Sequence, residues 1–291
     1  MVPTRWLVLT VELPPEADQG PVLEHLLGMG ATAVEERDRK LVTHLPPPDD
    51  PEARVQEVRA ALDRKLGGSG SARVSWGWQP HEEWSETWRR GLAPRRIGGR
   101  LLVSPTWIDP EPRRDDLVVR IDPGMAFGTA EHATTRGCLE LLEPVVEEGD
   151  RVVDVGAGTG ILSIAAGLLG AHEVIAAESD EFSCEAARKN AEANGVGDRI
   201  DVRHELLDAS GLADLGPVDG VVANIQSRVL LNLLPGAARA LFPGGWLVLG
   251  GVLASERDDL IGTAEQDGLT LDAEVLEDEW WSGRFRSRGP G

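Results

Sequence analysis

Apolar and polar positions alternate in two rhythms along the first 80 residues. A period near two marks strands over Trp6–Leu13, Ala31–Glu35, Lys40–Leu45 and Ala72–Trp78, and a period near 3.6 marks helices over Val22–Met29 and Pro51–Leu66. The runs at Pro46–Pro48 and Gly67–Gly70 punctuate them as loops. Strand, helix and strand repeated twice in this length predict a small ferredoxin-like α+β domain over residues 1–79, with no catalytic constellation of its own. Residues 80–120 carry Trp84, Trp88 and Trp107 with the basic pairs Arg89-Arg90 and Arg95-Arg96 and read as a connector. Trp84 and Trp88 stand four apart, a helical spacing that favours packing against a neighbour. From 121 to 291 the pattern becomes βα alternation closed by a hairpin. Strands are predicted over Arg151–Val155, Glu173–Ala177, Arg199–Arg203, Val218–Ala223, Gly244–Leu249, Leu269–Leu276 and Trp280–Arg286, a Rossmann-like α/β sheet of about seven strands.

The candidate chemistry sits at the first of these strands. Asp154 and Val155 lead into Gly156-Ala157-Gly158-Thr159-Gly160, and an apolar helix follows over Ile161–Leu169. A strand, a glycine-rich turn and a helix N-terminus bring backbone N–H groups and a positive dipole end against a ligand, and glycine lets that ligand approach the main chain. The dinucleotide fingerprint would need glycine at 161, where this chain has Ile161. Glycines at 156, 158 and 160 behind Asp154 fit instead the D-x-G-x-G-x-G turn of S-adenosylmethionine enzymes. Glu178 ends the second strand 22 residues after Gly156, where a carboxylate can accept both hydroxyls of a ribose; alone it would read as a solvated strand-end acid. Leu206 and Leu207 follow the third strand, where one of the two lies against the adenine or each simply packs.

Asn224-Ile225-Gln226-Ser227 ends the fourth strand, at the edge where open α/β sheets bind ligands. Base-methylating enzymes carry Asn-Pro-Pro-aromatic there. This chain lacks the prolines and the ring, so a flipped base would have no stacking platform.

Charge narrows the partners. Residues 121–291 hold 12 basic and 30 acidic side chains, which is nearly all of the net −20. Such a surface repels phosphate backbones, which argues against direct nucleic-acid substrates. It suits either a basic partner or plain solvation. Cys138 and Cys184 stand singly in helix-like segments and imply neither a disulfide framework nor a metal cluster. No apolar run approaches the roughly 18 residues of a membrane span, and the N-terminus has no signal-peptide pattern, so a cytoplasmic protein without a membrane partner is expected, acting as a monomer.

Several stretches in one order carry a resemblance: "DPGMAFGT..HATT", "DVGAGTGILSIAA", "NAEANGVGDRI", "VVANI" and "EDEWWSGRFRSR", with "WLVLTVELPPEA" and "EEWSETWRRGLAPRRIGGRLLVSPTW" before them. Together they resemble the bacterial methyltransferases that modify protein eleven of the large ribosomal subunit, over nearly the whole chain. The resemblance implies a class I methyltransferase domain over 121–291, a linker over 80–120 and a domain over 1–79 that docks the ribosomal protein. It also implies transfer from S-adenosylmethionine to amino groups, lysine side chains or the N-terminal amine. The family's cofactor positions fall on Thr135, Gly156, Glu178 and Asn224, with Asn224 also positioning the amine. The stretch from Asp122 to Thr135 would cross the cofactor, with Phe127 as a cover and His132 as either a proton acceptor or a cap of the loop. Ala130 stands where the family has glycine. A positive φ there would strain alanine by roughly 1–2 kcal/mol, unless the loop takes another path. Ala130, Glu131, Gln226 and Ser227 bear on substrate choice. The alternatives are a methyltransferase of the same fold acting on another protein or a small amine, and a catalytically silent module that binds the ribosomal protein.

Overall fold

The computed structural model describes residues 5–14, 22, 26, 34–37, 40–48, 50–66, 72–80, 92–122 and 128–288, in two compact units, 1–91 and 92–291. In the first unit, β1 (Arg5–Glu12), β2 (Val34–Arg37), β3 (Lys40–Leu45) and β4 (Arg73–Pro80) form an antiparallel sheet in the order β2-β3-β1-β4. That is the ferredoxin-like order. On the central strand β1, alternate residues Leu7, Leu9 and Val11 are fully buried, opposite Leu45, Thr43 and Leu41 on one side and Trp78, Trp76 and Val74 on the other. Helix α1 (Pro51–Leu66) lays Val55, Val58 and Leu62 against this face. Asp50 Oδ1 accepts from Ala53 N at 3.0 Å, and Pro51 fills the first helical position, where a missing N–H costs nothing.

The second unit begins earlier than the pattern predicts. The stretch expected as a connector builds β5 (Arg95–Ile97), β6 (Leu101–Pro105) and β7 (Leu117–Ile121), a three-stranded sheet with β6 parallel to β7. Every residue of β6 is buried, and Ile97, Val103, Val119 and Ile121 share one core with Leu139, Leu142 and Ile164. Apolar burial makes residues 92–121 part of the larger unit. Trp84, Trp88, Arg89 and Arg90 lie outside the described residues.

The main sheet has seven strands, β8 (Arg151–Val155), β9 (Glu173–Glu178), β10 (Ile200–His204), β11 (Val218–Asn224), β12 (Leu241–Leu253), β13 (Leu269–Glu277) and β14 (Trp280–Ser287). Their order is β10-β9-β8-β11-β12-β14-β13, parallel except for β14, which runs antiparallel to both neighbours. Helices α2 (Ala133–Leu142), α3 (Ile161–Leu169) and α4 (Glu181–Ala193) cover one face, and α5 (Ala209–Asp214), α6 (Ser227–Ala240) and α7 (Arg257–Gln266) cover the other. Val152 belongs to the first core and Val153 and Val155 to the second, so β8 is covered on both faces and even its Asp154 is buried. Strand order reverses between β8 and β11, so the crevice of this sheet opens at their carboxyl ends. Among the described residues no helix is long and apolar enough to cross a membrane.

Candidate functional site

The turn after β8 uses its three glycines differently. Gly156, Gly158 and Gly160 have φ of 76, 56 and 79°, a left-handed region closed to most residues with a Cβ. Gly156 N and Ala157 N donate to Ala177 O at 2.9 and 3.2 Å, which pins the turn to β9. Gly156 and Gly158 line a cavity of about 630 Å³. Gly160, expected to touch the cofactor, is not among the lining residues; a Cβ there would meet the Ala187 backbone at 3.3 Å, so its role is to let α3 approach α4. Asp154 is also absent from the lining. Its carboxylate is fully buried beneath the turn, with Oδ2 accepting from Ser163 Oγ at 2.6 Å and Oδ1 left without a partner, and burial pushes its carboxyl up to about 6.

Thr135, Glu178, Leu207 and Asn224 all reach the cavity. Glu178 is held by backbone N–H groups: Oε2 accepts from Gly158 N at 2.9 Å, and Oε1 from Ser179 N at 2.7 Å and Asp180 N at 2.9 Å. Asn224 Nδ2 donates to Thr135 Oγ1 at 3.1 Å, while its buried Oδ1 has no hydrogen-bond partner. An orphaned buried acceptor costs free energy in the absence of a ligand and is unusual in a packed fold.

His132 lines the cavity as the N-cap of α2. Its Nδ1 accepts from Thr134 N at 3.3 Å, and the ring stands edge-on to Trp280 with centroids 4.6 Å apart. Burial and the nearby Arg136 guanidinium lower its pKa. Accepting at Nδ1 selects the neutral Nε2–H tautomer. Of its two expected roles, the geometry matches the cap.

Ala130 adopts φ 63°, so the loop keeps the conformation of a glycine with alanine in place. Ala130 and Glu131 lie outside the lining: Ala130 is buried in the core, its carbonyl accepting from Arg136 Nη1 at 2.9 Å, and Glu131 pairs with Arg95 at 3.1 Å. Ser227 turns away to donate to Glu256 Oε1 at 2.7 Å, whereas Gln226 lines the cavity. Phe127 lies outside the described residues. The pattern reading missed Trp280, which faces the cavity while Trp281 is buried in the core. Strand alternation carries that signal, because neighbours on β14 point to opposite faces.

A family model described as ribosomal protein L11 methyltransferase matches residues 6–288. This chain belongs to that family. It is 37% identical to a ribosomal protein L11 methyltransferase of Pelotomaculum thermopropionicum, over 95% of this chain and 97% of the relative. A relative of the same name from Symbiobacterium thermophilum is 41% identical over 81% of this chain and 77% of its own length. The crystal structure of a ribosomal protein L11 methylase from Lactobacillus delbrueckii subsp. bulgaricus superimposes with a TM-score of 0.60 at 31% identity, covering 67% of this chain and 98% of that one. The methyl donor is S-adenosylmethionine. The residues present fit it: a glycine turn open to close approach, a carboxylate at the next strand end, a cavity of adequate size and an orphaned acceptor at Asn224.

Proposed function

We propose that this chain methylates amino groups of ribosomal protein L11, lysine ε-amines or the N-terminal α-amine, at the carboxyl end of β11. The observation that carries the reading is Asn224 itself, which lines the cavity at the end of β11 with Nδ2 bonded to Thr135 Oγ1. S-adenosylmethionine, when bound, supplies an electrophilic methyl, so the chain needs no nucleophile of its own and chiefly has to align a nitrogen lone pair.

Gly156 and Gly158 would admit the donor close to the main chain. Glu178 would hold its ribose hydroxyls, Leu207 its adenine, and Thr135 would fix Asn224. Asn224, at the cavity wall, holds the amine through its side-chain amide and thereby aims the lone pair. The amine has to arrive neutral, which at pH 7 costs about 4.6 kcal/mol for a lysine and about 1 kcal/mol for an α-amine. His132 caps α2 through Nδ1, the lone pair a base would use, so the proton leaves to water before the amine enters. Residues 1–91 hold the ribosomal protein.

The test incubates the protein with methyl-labelled donor and L11 from the same source and locates label by mass spectrometry. Label is expected on lysines or the N-terminus of L11; its absence from L11 would reject the reading.

A further inference from the structure

Asn190 on α4 and Asn194 at its C-cap stand one turn apart, within the "NAEANGV" stretch, and neither lines the cavity. Their amides run along the outer edge of β7. Asn194 Oδ1 accepts from Arg120 N at 2.8 Å and its Nδ2 donates to Arg120 O at 2.6 Å. Asn190 Oδ1 accepts from Asp122 N at 2.9 Å and its Nδ2 donates to Asp122 O at 3.1 Å. Residues two apart in an extended chain present N–H and C=O to the same side, so two asparagines four apart on a helix stand in for a neighbouring strand.

Asn190 makes one bond more. Its Nδ2 also donates to Thr159 O at 3.0 Å, inside the glycine turn, and Thr159 Oγ1 donates to Gly128 O at 2.7 Å. Asp122 and Gly128 are therefore both tied to the turn, by side chains that are 2% and 0% exposed. Gly128 and Gly158 themselves line the cavity. A Cβ on Gly128 would come within 2.7 Å of Thr159 Oγ1, so this approach is as close as the chain allows.

We propose that Asn190 and Thr159 are positioning residues for the methyl donor: one chain of bonds fixes Asp122 and Gly128 against the glycine turn, and donor affinity depends on them as a coupled pair. The proposal rests on the reading of the cavity as the donor site. Asn194, which grips the strand edge without touching the turn, supplies the control.

Calorimetry with S-adenosylmethionine on the full chain tests it. Asn190→Ala and Thr159→Val are each expected to raise Kd by about ten-fold, and the double variant by clearly less than the product, since either break severs the same chain of bonds. Thr159→Ser, which keeps the hydroxyl, should restore Kd to within about two-fold. In methyl transfer, KM for the donor should rise while kcat at saturation stays within about two-fold, the pattern of a lost uniform binding interaction. Asn194→Ala should lower Tm while leaving Kd unchanged. A wild-type Kd in Thr159→Val, or an Asn194→Ala that weakens binding as much as Asn190→Ala, would overturn the proposal. If Asn190→Ala does not fold, the Val and Ser variants of Thr159 decide the matter alone. Failure of the wild-type chain to bind the donor would instead reject the donor-site reading.

Discussion

Ala130 shows how a single methyl group can be both strained and retained. A left-handed φ costs alanine roughly 1–2 kcal/mol, while the buried methyl returns about 0.8 kcal/mol and its smaller unfolded-state freedom about 0.4–1 kcal/mol. These nearly cancel. Ala130→Gly is therefore expected to shift stability by less than about 1 kcal/mol in urea unfolding, and a gain above about 2 kcal/mol would show that burial does not offset the strain. Asp154 makes a prediction about pH. Its folded-state pKa is raised from 3.8 to about 6, so the apo protein holds this proton more tightly than the unfolded chain does. The associated stability is fully present below about pH 4 and is lost as pH rises through about 6, an effect of about 3 kcal/mol. Asp154→Asn cannot ionise. It should remove this fall between pH 4 and 6, and an unchanged profile in the variant would assign the fall to other groups.

At the scale of elements, the site is an assembly of ends. The carboxyl ends of β8, β9 and β11 bring the glycine turn, Glu178 and Asn224 to one crevice, and α2 begins there with His132 as its cap. The loop into α2 is clasped from three sides: Thr159 holds Gly128, Arg136 holds the Ala130 carbonyl and the Glu277 carboxylate, and Arg95 pairs with Glu131. The exposed Arg95–Glu131 pair contributes little; the buried Thr159 bond contributes more. Helix approach sets the other constraint. Gly160→Ala combines a positive φ with a contact of 3.1 Å to Ala187 Cβ, whereas Gly149→Ala at φ 97° meets nothing within 4 Å. The first should cost about 1–3 kcal/mol more than the second in thermal or urea unfolding. Equal losses would mean that strain alone decides both.

At the scale of the molecule, each unit has its own core, and only the larger contains the cavity. A chain of residues 92–291 is expected to bind S-adenosylmethionine within about three-fold of the full chain while transfer to L11 collapses, because the larger unit has its own core and supplies every lining residue of the cavity from Gly128 to Trp280. Calorimetry beside a methylation assay checks both halves, and undiminished transfer would remove docking from the role of residues 1–91.

Local chemistry alone determined the strands of the four- and seven-stranded sheets, the glycine turn, Glu178 and Asn224, because a period of two or 3.6 and a short glycine spacing are written within a few residues. The family resemblance extended that to the substrate and to Thr135. Tertiary structure decided what depends on residues far apart in the chain. Residues 92–121 joined the larger unit because their apolar strands found a core on α2 and α3, against the polar look of the arginine pairs beside them. Asp154 and Gly160 left the cavity lining because one lies beneath the turn and the other against α4, and Trp280 entered it because Trp281 took the core. Burial and contact across the sheet sort neighbours that the sequence writes side by side, and that sorting is available only once the chain has packed.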